Sequence, residues 1–524
     1  MSESGLGSPT AVSTSSRLSL FLDRAGLQGF PWVSAIVLYT ISWGWLLVVW
    51  DSIWWDDNYA LNESWPASVR SVGFPPWTSI YIFVFIKFGP GFLHLSTFVT
   101  GFLSGIFFFS IVESRLSRLT TEVERKFMLL LFLSLPFNTA KVGSFNTPYT
   151  FSIFLFFLAW FLLVRFQNHR FFLPSLVFFF LSFQIPFMIL FFLIPYFSFL
   201  IQQSGIKSIS RVARSVYSKE SIFLIATPIT YLLLRQLLWP DKANAYQFHP
   251  ETFLYAATIL CLVVPVAMFA LKINNAIAKR GLFLISIGYT ACLIGLIPGI
   301  VTFQFADNAL AKYPVLFLGR SAWHNRQLIL QPLGFSIACI GVVSLLTGFS
   351  RGFQKVVLSS LTAVSVFFCF CFGLEHIIDN EKQVEIIDSL QAKQLRGDLE
   401  WIFIDDSIFL NARGRGYRSS DWAGFVFRAD PQLLDIRTAD MSNLDNAFSS
   451  RCPLFWNKDL VANVVSVQGP ETHWQALKNW VRDRDMGFKV TIDDTPGACK
   501  PEMVSPERVS GAIPILFYFT GAKN

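Results

Sequence analysis

The chain has 524 residues, of which 53% are hydrophobic, 16% are aromatic and only 15% are charged. Soluble globular domains carry about 25% charged residues, and one soluble core cannot hold 57 phenylalanines beside only 42 Lys and Arg residues. This composition excludes a soluble globular protein and indicates a polytopic membrane protein. The net charge of +7 does not indicate a nucleic-acid partner, because most basic residues fall in short gaps between apolar runs, which is the positive-inside pattern.

The amino-terminal segment, residues 1–30, is predicted to be a disordered cytoplasmic extension. It is rich in Ser, Thr and Gly before the first apolar run, a composition that cannot bury enough apolar surface to fold. No small-residue cleavage site follows that run. We therefore expect the first apolar run to be retained as a membrane anchor.

Apolar runs long enough to cross the hydrocarbon core, about 20 residues each, predict about eleven transmembrane helices within residues 31–374. The third, fifth and sixth runs are short or interrupted by proline, so neighbouring helices must satisfy their backbone groups. The predicted spans are 32–50, 92–112, 127–139, 149–166, 171–183, 186–201, 221–239, 252–271, 281–303, 328–346 and 356–373.

The basic residues predict the orientation of these spans. They cluster in alternate gaps, which the positive-inside rule assigns to the cytoplasm. The amino terminus is then cytoplasmic, whereas the acidic loop 51–91 and everything after Gly373 lie outside. We expect a multi-pass protein of the bacterial inner membrane. The basic residues are Arg17 and Arg24; Arg115, Arg118, Arg125 and Lys126; Arg165 and Arg170; Lys207, Arg211, Arg214 and Lys219; Lys272, Lys279 and Arg280; and Arg351 and Lys355.

The tail, residues 375–524, is charged and lacks a spanning run, so it is predicted to be an extracytoplasmic α+β domain. Cys452 and Cys499 are its only cysteines. In an oxidising compartment they could form a disulfide or remain free thiols. Helices are predicted over 383–395 and 472–484, and strands over 401–410, 424–428, 461–467 and 513–520.

The first external loop contains an acidic pair between aromatic residues, Trp54-Trp55-Asp56-Asp57-Asn58-Tyr59. A carboxylate with aromatic walls beside hydrocarbon is partly desolvated, which raises its basicity and suits it to remove a proton from a hydroxyl. One aspartate could act as the base while the other orients an acceptor or holds Mg²⁺ or Mn²⁺. The alternative is a pair of solvated charges that mark the membrane boundary.

A second external loop, between the predicted ninth and tenth spans, carries Lys312, Arg320, His324 and Arg326. These potential cations depart from the charge bias of the other gaps. Arginine suits phosphate oxygens, so the loop could clamp a phosphate leaving group. It could equally form ion pairs with the tail or with lipid headgroups.

Two single cations lie near the same predicted face. Arg235 falls near the outer end of the seventh span, where a charge should face the bundle. It could pair with a loop aspartate or a phosphate, or snorkel to the interface. Lys141, on a short external loop, could contact a sugar hydroxyl, although solvation in the loop is the simpler interpretation.

The membrane part, roughly residues 30–350, resembles the GT-C glycosyltransferases. The resemblance is carried by a first span, an acidic pair at its outer end, and Pro75-Pro76 about eighteen residues later, before an aromatic stretch and a second span. Members transfer sugars from polyprenyl-phosphate carriers at the outer membrane face. By position, Asp56 matches the acid that carries the base. Asp57 stands where Glu is common, and Phe74 replaces a frequent His.

The resemblance implies an inverting hexosyl- or pentosyltransferase. It would move a sugar from a polyprenyl-phosphate donor to a hydroxyl of a glycan, lipid or protein acceptor, with Asp56 as base and with Arg320 and Arg326 on the departing phosphate. No metal is obligatory in this expectation. Two other classes stay open: a flippase for lipid-linked glycans, whose usual paired repeats are not evident, and a non-catalytic scaffold of a surface-glycan assembly.

Overall fold

The computed structural model describes a predominantly helical chain. Its description covers residues 23–50, 52–54, 57, 73–137, 139–165, 169–204, 215–240, 276–301, 331–346, 350–393, 401–406, 417, 419–430, 437–440 and 462–493. Thirteen α-helices precede the first strand in these ranges. They are α1 (Trp32–Trp43), α2 (Trp45–Val48), α3 (Ser79–Phe88), α4 (Pro90–Leu116), α5 (Glu122–Ser134), α6 (Thr147–Arg165), α7 (His169–Ser182), α8 (Met188–Phe191), α9 (Leu193–Ser204), α10 (Lys219–Leu238), α11 (Ala276–Val301), α12 (Gln331–Leu346) and α13 (Arg351–Lys393).

Four helices of the described chain are long and apolar enough to cross a membrane: α4, α6, α10 and residues Gly352–Lys393 of α13. This result supports the membrane class that the composition predicts. Ten of the eleven predicted spans overlap described helices. The remaining predicted span, 252–271, lies outside the described residues.

Aromatic packing joins the helices at the centre of the bundle. Phe108 of α4 stacks on Phe132 of α5 with ring centroids 4.4 Å apart, and Phe157 of α6 meets Phe132 edge to face at 5.5 Å. Lipid tails are as apolar as these side chains, so packing contacts have to hold membrane helices together. Each aromatic pair adds about 0.5–1.5 kcal/mol beyond area burial.

Helices α11 and α12 approach each other through glycine. A Cβ added at Gly288 would lie 2.4 Å from the backbone N of Ala338, and one added at Gly334 would lie 2.5 Å from the backbone N of Cys292. Gly281 and Gly341 continue the same close crossing. Small residues at these positions let two helix backbones touch, as in other membrane helix pairs.

The end of the bundle near Arg115 holds a basic cluster. Arg165 donates from Nη2 to the Ser110 carbonyl oxygen at 3.0 Å, and Arg125 forms an ion pair with Glu113 at 2.5 Å. Residues from two of the predicted cytoplasmic gaps therefore meet at one end. The helical rise along α4 places this end about 32 Å from His94.

A buried carboxylate at the basic end joins four helices. Glu124 of α5 accepts hydrogen bonds from Ser344 Oγ of α12 at 3.1 Å and Gln354 Nε2 of α13 at 2.6 Å, and it forms an ion pair with Arg280 of α11. Burial alone raises the pKa of Glu124, but the Thr121 amide and the Arg280 charge outweigh burial and lower this pKa overall. The carboxylate is thus held in its charged form.

The membrane part and the tail share one long helix. Helix α13 runs without interruption through residues 374 and 375, the boundary predicted between the two parts. Its second half packs Ile378, Ile386, Ile387 and Leu390 into the apolar core of the tail. The predicted helix 383–395 is therefore the continuation of the last membrane helix.

The described part of the tail forms a four-stranded sheet in the order β2-β1-β3-β4. The elements are β1 (Trp401–Asp406), α14 (Ser419–Ala429), β2 (Arg437–Asp440), β3 (Ala462–Gln468), α15 (His473–Asp483) and β4 (Lys489–Asp493). Strand β1 pairs in parallel with β2 and β3, and β4 is antiparallel to β3. Because helices alternate with mostly parallel strands, the arrangement is closer to α/β than to the predicted α+β class.

Four of the secondary-structure predictions for the tail are confirmed in whole or part, and one is wrong. Helix α13 covers most of the predicted helix 383–395, and the ends of β1, β3 and α15 lie within four residues of the predicted ends. The predicted strand 424–428 instead belongs to helix α14. Its apolar residues Trp422, Phe425 and Val426 have helical spacing and are all buried. The predicted strand 513–520 lies outside the described residues.

Candidate functional site

Three of the candidate residues, Asp57, Lys141 and Arg235, are among the described residues. Asp57 belongs to the acidic pair, and Arg235 lies in the last turn of α10. The other predicted site residues lie outside the described residues, and so do both cysteines of the proposed disulfide. They are Asp56, Lys312, Arg320, His324, Arg326, Cys452 and Cys499.

Asp57 is fully buried and fixed by main-chain donors. Its Oδ2 accepts the N–H of Ser144 at 2.8 Å and the N–H of Trp54 at 3.1 Å. The N–H of Asp57 in turn donates to the Trp54 carbonyl oxygen at 3.0 Å. Residues 54 and 57 thus close a turn from both sides, and the carboxylate fixes that turn to a second segment of the chain.

The second segment leads into helix α6. Ser144 begins a 3-10 helix, Ser144–Asn146, which is followed directly by α6. A buried carboxylate needs such donors because desolvation of an unpaired charge is costly. The hydrogen bonds of Asp57 therefore join the acidic turn to the start of α6.

His94 joins helix α4 to Val142, close in sequence to the Ser144 that holds Asp57. It lies in the first turns of α4, is fully buried, and its Nε2 is 2.7 Å from the Val142 carbonyl oxygen. A carbonyl oxygen only accepts, so Nε2 carries a proton here. The backbone of Val49 and Trp50 also contacts this ring. An ionisable residue inside an apolar span is a functional signal, but sequence reasoning did not select His94.

His376 of α13 brings the last membrane helix to the same place. Its ring stacks on Trp45 with centroids 4.6 Å apart and meets Trp54 edge to face at 5.1 Å. Its Nδ1 lies 2.6 Å from the Phe372 carbonyl oxygen. Trp54 contacts His376 through its ring and donates its backbone N–H to Asp57. Helix α13 is therefore linked to the acidic turn through Trp54.

Gln184 is a buried polar residue among the apolar helices. The Gln184 amide Nε2 lies 2.9 Å from Ser152 Oγ, 3.2 Å from the Pro148 carbonyl oxygen and 3.2 Å from the Tyr81 hydroxyl, so its two hydrogens are shared among three acceptors. Tyr81 belongs to α3, the helix that follows Pro75-Pro76. These bonds join α3 to α6 through Gln184.

Arg235 contacts the segment that precedes Pro75-Pro76. Its Nε donates to the Gly73 carbonyl oxygen at 3.1 Å, just before the Pro75-Pro76 pair. Four residues after Arg235, Trp239 meets Trp77 edge to face at 5.6 Å. The structure therefore places Arg235 beside Gly73, in the segment that follows the acidic pair in the sequence.

Lys141 points towards two aromatic rings of α1. It lies in the 3-10 helix Thr139–Val142, and its Nζ is 3.0 Å from the ring centroid of Trp43 and 6.0 Å from that of Tyr39. Burial lowers the pKa of Lys141 to about 7. The amine is therefore an ionisable group poised near neutral pH at the same end of the bundle as Asp57.

The described residues do not form a metal site. Among them, no group of three or more His, Cys, Asp or Glu side chains is arranged to hold an ion. The Oδ2 of Asp57 accepts two N–H groups, which engages both of its lone pairs. That oxygen is a poor ligand for Mg²⁺ or Mn²⁺.

No model of a known protein family and no curated protein matches this chain. Its function is therefore inferred from its residues, their geometry and the resemblance given above.

Proposed function

We propose that the chain is an inverting glycosyltransferase that moves a sugar from a polyprenyl-phosphate donor to an acceptor hydroxyl at the outer face of the membrane. One observation carries the proposal: the buried Asp57 carboxylate fixes the acidic turn to the start of α6 through two main-chain N–H groups. A base has to be held in place to act in a transition state. The anchored turn meets that requirement.

In this proposal the two aspartates have different roles. Asp57 is a positioning residue, because its Oδ2 is occupied by backbone donors. Asp56 is the general base, because it is the sequence neighbour of the anchored Asp57. This division follows the match of Asp56 to the first acid of the GT-C pattern.

The reaction is a single displacement at the anomeric carbon. Asp56 takes the proton of the acceptor hydroxyl while its oxygen attacks, the bond between the anomeric carbon and the phosphate oxygen breaks, and the configuration inverts. The electron pair leaves with the polyprenyl phosphate. Arg320 and Arg326, with His324 and Lys312 beside them, stabilise the charge that develops there.

The proposed setting is a bacterial inner-membrane protein with about eleven spans. Its amino terminus is cytoplasmic, and its tail lies outside with the acidic turn. The clustering of Arg115, Arg125 and Arg165 at one end of the bundle supports this orientation, because basic residues favour the cytoplasmic side. The tail would then lie close enough to help select an acceptor.

The contacts around Asp57 favour an enzyme over a flippase. A transporter must open each end of its bundle in turn. Here the bonds of Asp57 to Ser144 and of His94 to Val142, together with the stacking of His376 on Trp45, tie several described segments together at one end of the bundle. Segments held together in this way suit the reaction centre of an enzyme better than the opening end of a transporter.

The test is transfer by the purified full-length protein in lipid nanodiscs. Mass spectrometry of surface glycans from cells with and without the protein first identifies the sugar. Product formation is then compared between wild type, Asp56→Asn and Asp388→Asn, which replaces an exposed acid of α13. General-base catalysis contributes about 10²–10⁴-fold, so Asp56→Asn should lose at least a hundredfold in rate while Asp388→Asn stays normal.

Two results would count against the proposal. A wild-type rate of product formation by Asp56→Asn would show that Asp56 is not the general base. Transbilayer movement of a lipid-linked glycan that persists in Asp56→Asn, with no transfer by wild type, would identify a flippase instead.

A further inference from the structure

Helix α15 of the tail presents an aromatic and basic face to solvent. Trp474, Lys478 and Val481 are exposed, and their spacing of four and three residues places them on one side of the helix. Ala476, on the opposite side, is buried in the apolar core that the tail shares with α13. A helix with one apolar and basic exposed face is typical of segments that lie in a membrane interface.

Both tryptophans of α15 are paired with a cation. Lys478 Nζ lies 5.7 Å from the centroid of the Trp474 ring. The guanidinium carbon of Arg484, the residue that caps α15, lies 4.8 Å from the centroid of the Trp480 ring. Tryptophan and basic side chains occur together at the level of lipid headgroups. A sugar that stacks on a ring needs an open ring face, so these pairs favour a lipid surface over a glycan.

The carboxyl edge of the tail sheet meets α13 just past the apolar part of that helix. Lys382 binds Asp406, the last residue of β1. The Tyr417 hydroxyl, just before α14, donates to Asp379. Helix α14 then runs outward along α13, because a carbonyl oxygen in its last turn lies 3.4 Å from Gln391 Nε2. The carboxyl edge is therefore the edge of the sheet nearest to the apolar part of α13.

Helix α15 belongs to this same edge. The chain leaves the sheet at the carboxyl end of β3 and returns at the start of β4, where Gln468 and Lys489 are paired. Asp485, beside the end of α15, interacts electrostatically with Glu381. The apolar part of α13 ends at Leu374, and the helical rise places Glu381 about 10 Å farther along. Because headgroups extend about 5–7 Å beyond the hydrocarbon, the exposed side chains of α15 are within reach of that layer.

The charge of α15 complements an anionic lipid surface. Residues 473–484 contain three basic residues and one acidic residue. The acid, Asp483, is engaged by Arg482 at 2.7 Å. The other two cations, Lys478 and Arg484, lie over their tryptophan rings. Anionic headgroups attract basic side chains near a membrane surface.

We propose that α15 docks on the headgroup layer of an anionic phospholipid bilayer, the same bilayer that α13 enters. The rings of Trp474 and Trp480 and the side chain of Val481 insert at the boundary between headgroups and acyl chains. Lys478 and Arg484 lie against the anionic headgroups. Docking fixes the tail against the membrane. The inference depends on the membrane class of the chain and not on the transferase assignment.

The experiment is photo-crosslinking of the full-length protein in lipid nanodiscs. A benzophenone side chain replaces Val481 in one preparation and Ala392 in another. Ala392 is an exposed control position of α13, about 27 Å from Leu374 by the helical rise. The nanodiscs contain phosphatidylcholine alone or mixed with phosphatidylglycerol, and mass spectrometry counts the lipid adducts at each position.

Lipid adducts should form at position 481 at least about ten times more often than at position 392, and phosphatidylglycerol should raise the yield at 481. Each basic residue near an anionic surface contributes about a fivefold preference. The double variant Lys478→Gln with Arg484→Gln should therefore lower the ratio of docked to undocked α15 about thirtyfold. Lys393→Gln, at the far end of α13, should leave this ratio unchanged. Salt at about 1 M, which shortens the Debye length to about 3 Å, should lower the yield at 481 without any substitution.

Three results would overturn the inference. Equal yields of lipid adducts at positions 481 and 392 would show that α15 does not lie on the bilayer. Adducts at 481 that join only protein segments would show that another part of the chain or a second copy covers α15. Adducts only with an added oligosaccharide would assign the face to a glycan. If the double variant does not fold, the effects of salt and phosphatidylglycerol decide, because a yield that neither changes would refute docking through charge.

Discussion

The anchoring role of Asp57 predicts different effects for its two simplest replacements. Asp57→Asn keeps the shape and one acceptor oxygen but removes the charge. Hydrogen bonds to a charged group contribute about 1.5–3 kcal/mol each and neutral ones about 0.5–1.5 kcal/mol. With two such bonds, the free energy of unfolding should fall by about 2–3 kcal/mol. Asp57→Ala leaves two donors unsatisfied, which costs about 1–3 kcal/mol for each buried donor, or about 2–6 kcal/mol together.

The effect on activity distinguishes an anchor from a base. If Asp57 only holds the turn, Asp57→Asn should keep about a tenth or more of the wild-type rate, because the neutral amide still accepts from Ser144. Asp56→Asn should instead lose about 10²–10⁴-fold. Asp57→Ala should fall between them, because the turn loses its link to α6.

Stability and transfer have to be measured on the same preparations. Unfolding is followed in mixed detergent micelles with increasing denaturant, and the transferred sugar is counted by mass spectrometry. Asp57→Asn with wild-type stability and a rate as low as that of Asp56→Asn would refute the reasoning. That result would make Asp57 a reacting group.

Two further predictions concern the tail and the membrane bundle. Lys382 is fully buried and its Nζ lies 2.7 and 2.8 Å from the two oxygens of Asp406, so Lys382→Met alone should destabilise the tail by about 3–5 kcal/mol. The double variant Lys382→Met with Asp406→Leu should lose less stability than Lys382→Met alone. Limited proteolysis of the tail measures the stability of both variants, and equal losses would contradict a coupled pair. Gly288→Ala should weaken the packing of α11 on α12 by about 1–3 kcal/mol, because its Cβ would meet a backbone atom at 2.4 Å. Gly352→Ala is the control, since the nearest neighbour of its Cβ would be a side-chain oxygen at 3.7 Å. Equal free energies of unfolding for the two variants would exclude the close crossing.

The helices of the membrane part could be predicted because hydrophobic length is a local property. A run of apolar residues is read directly from the sequence, and ten predicted spans overlap described helices. The strand predicted at 424–428 is wrong because the structure of this segment depends on contacts with distant residues. Its short apolar stretch fits either a strand or a helix, and burial of Trp422 and Phe425 in the core shared with α13 decided for the helix.

The candidate site was predictable in its residue types but not in its connections. The acidic pair could be selected because carboxylates at a membrane edge are costly. Nothing local to residues 54–59 shows that Asp57 turns inward to an amide 87 residues away. His94 and His376 were missed because their partners are also distant in sequence.

The sequence by itself determined the membrane class of this protein, because the transfer free energy of each span is nearly a sum over its own residues. It also determined that an acidic pair follows the first span. Only the tertiary structure decided that Asp57 anchors the turn and that Lys141 points at aromatic rings without an acid among the described residues. Both depend on which helix ends meet in space, and that is set by the packing of the whole bundle.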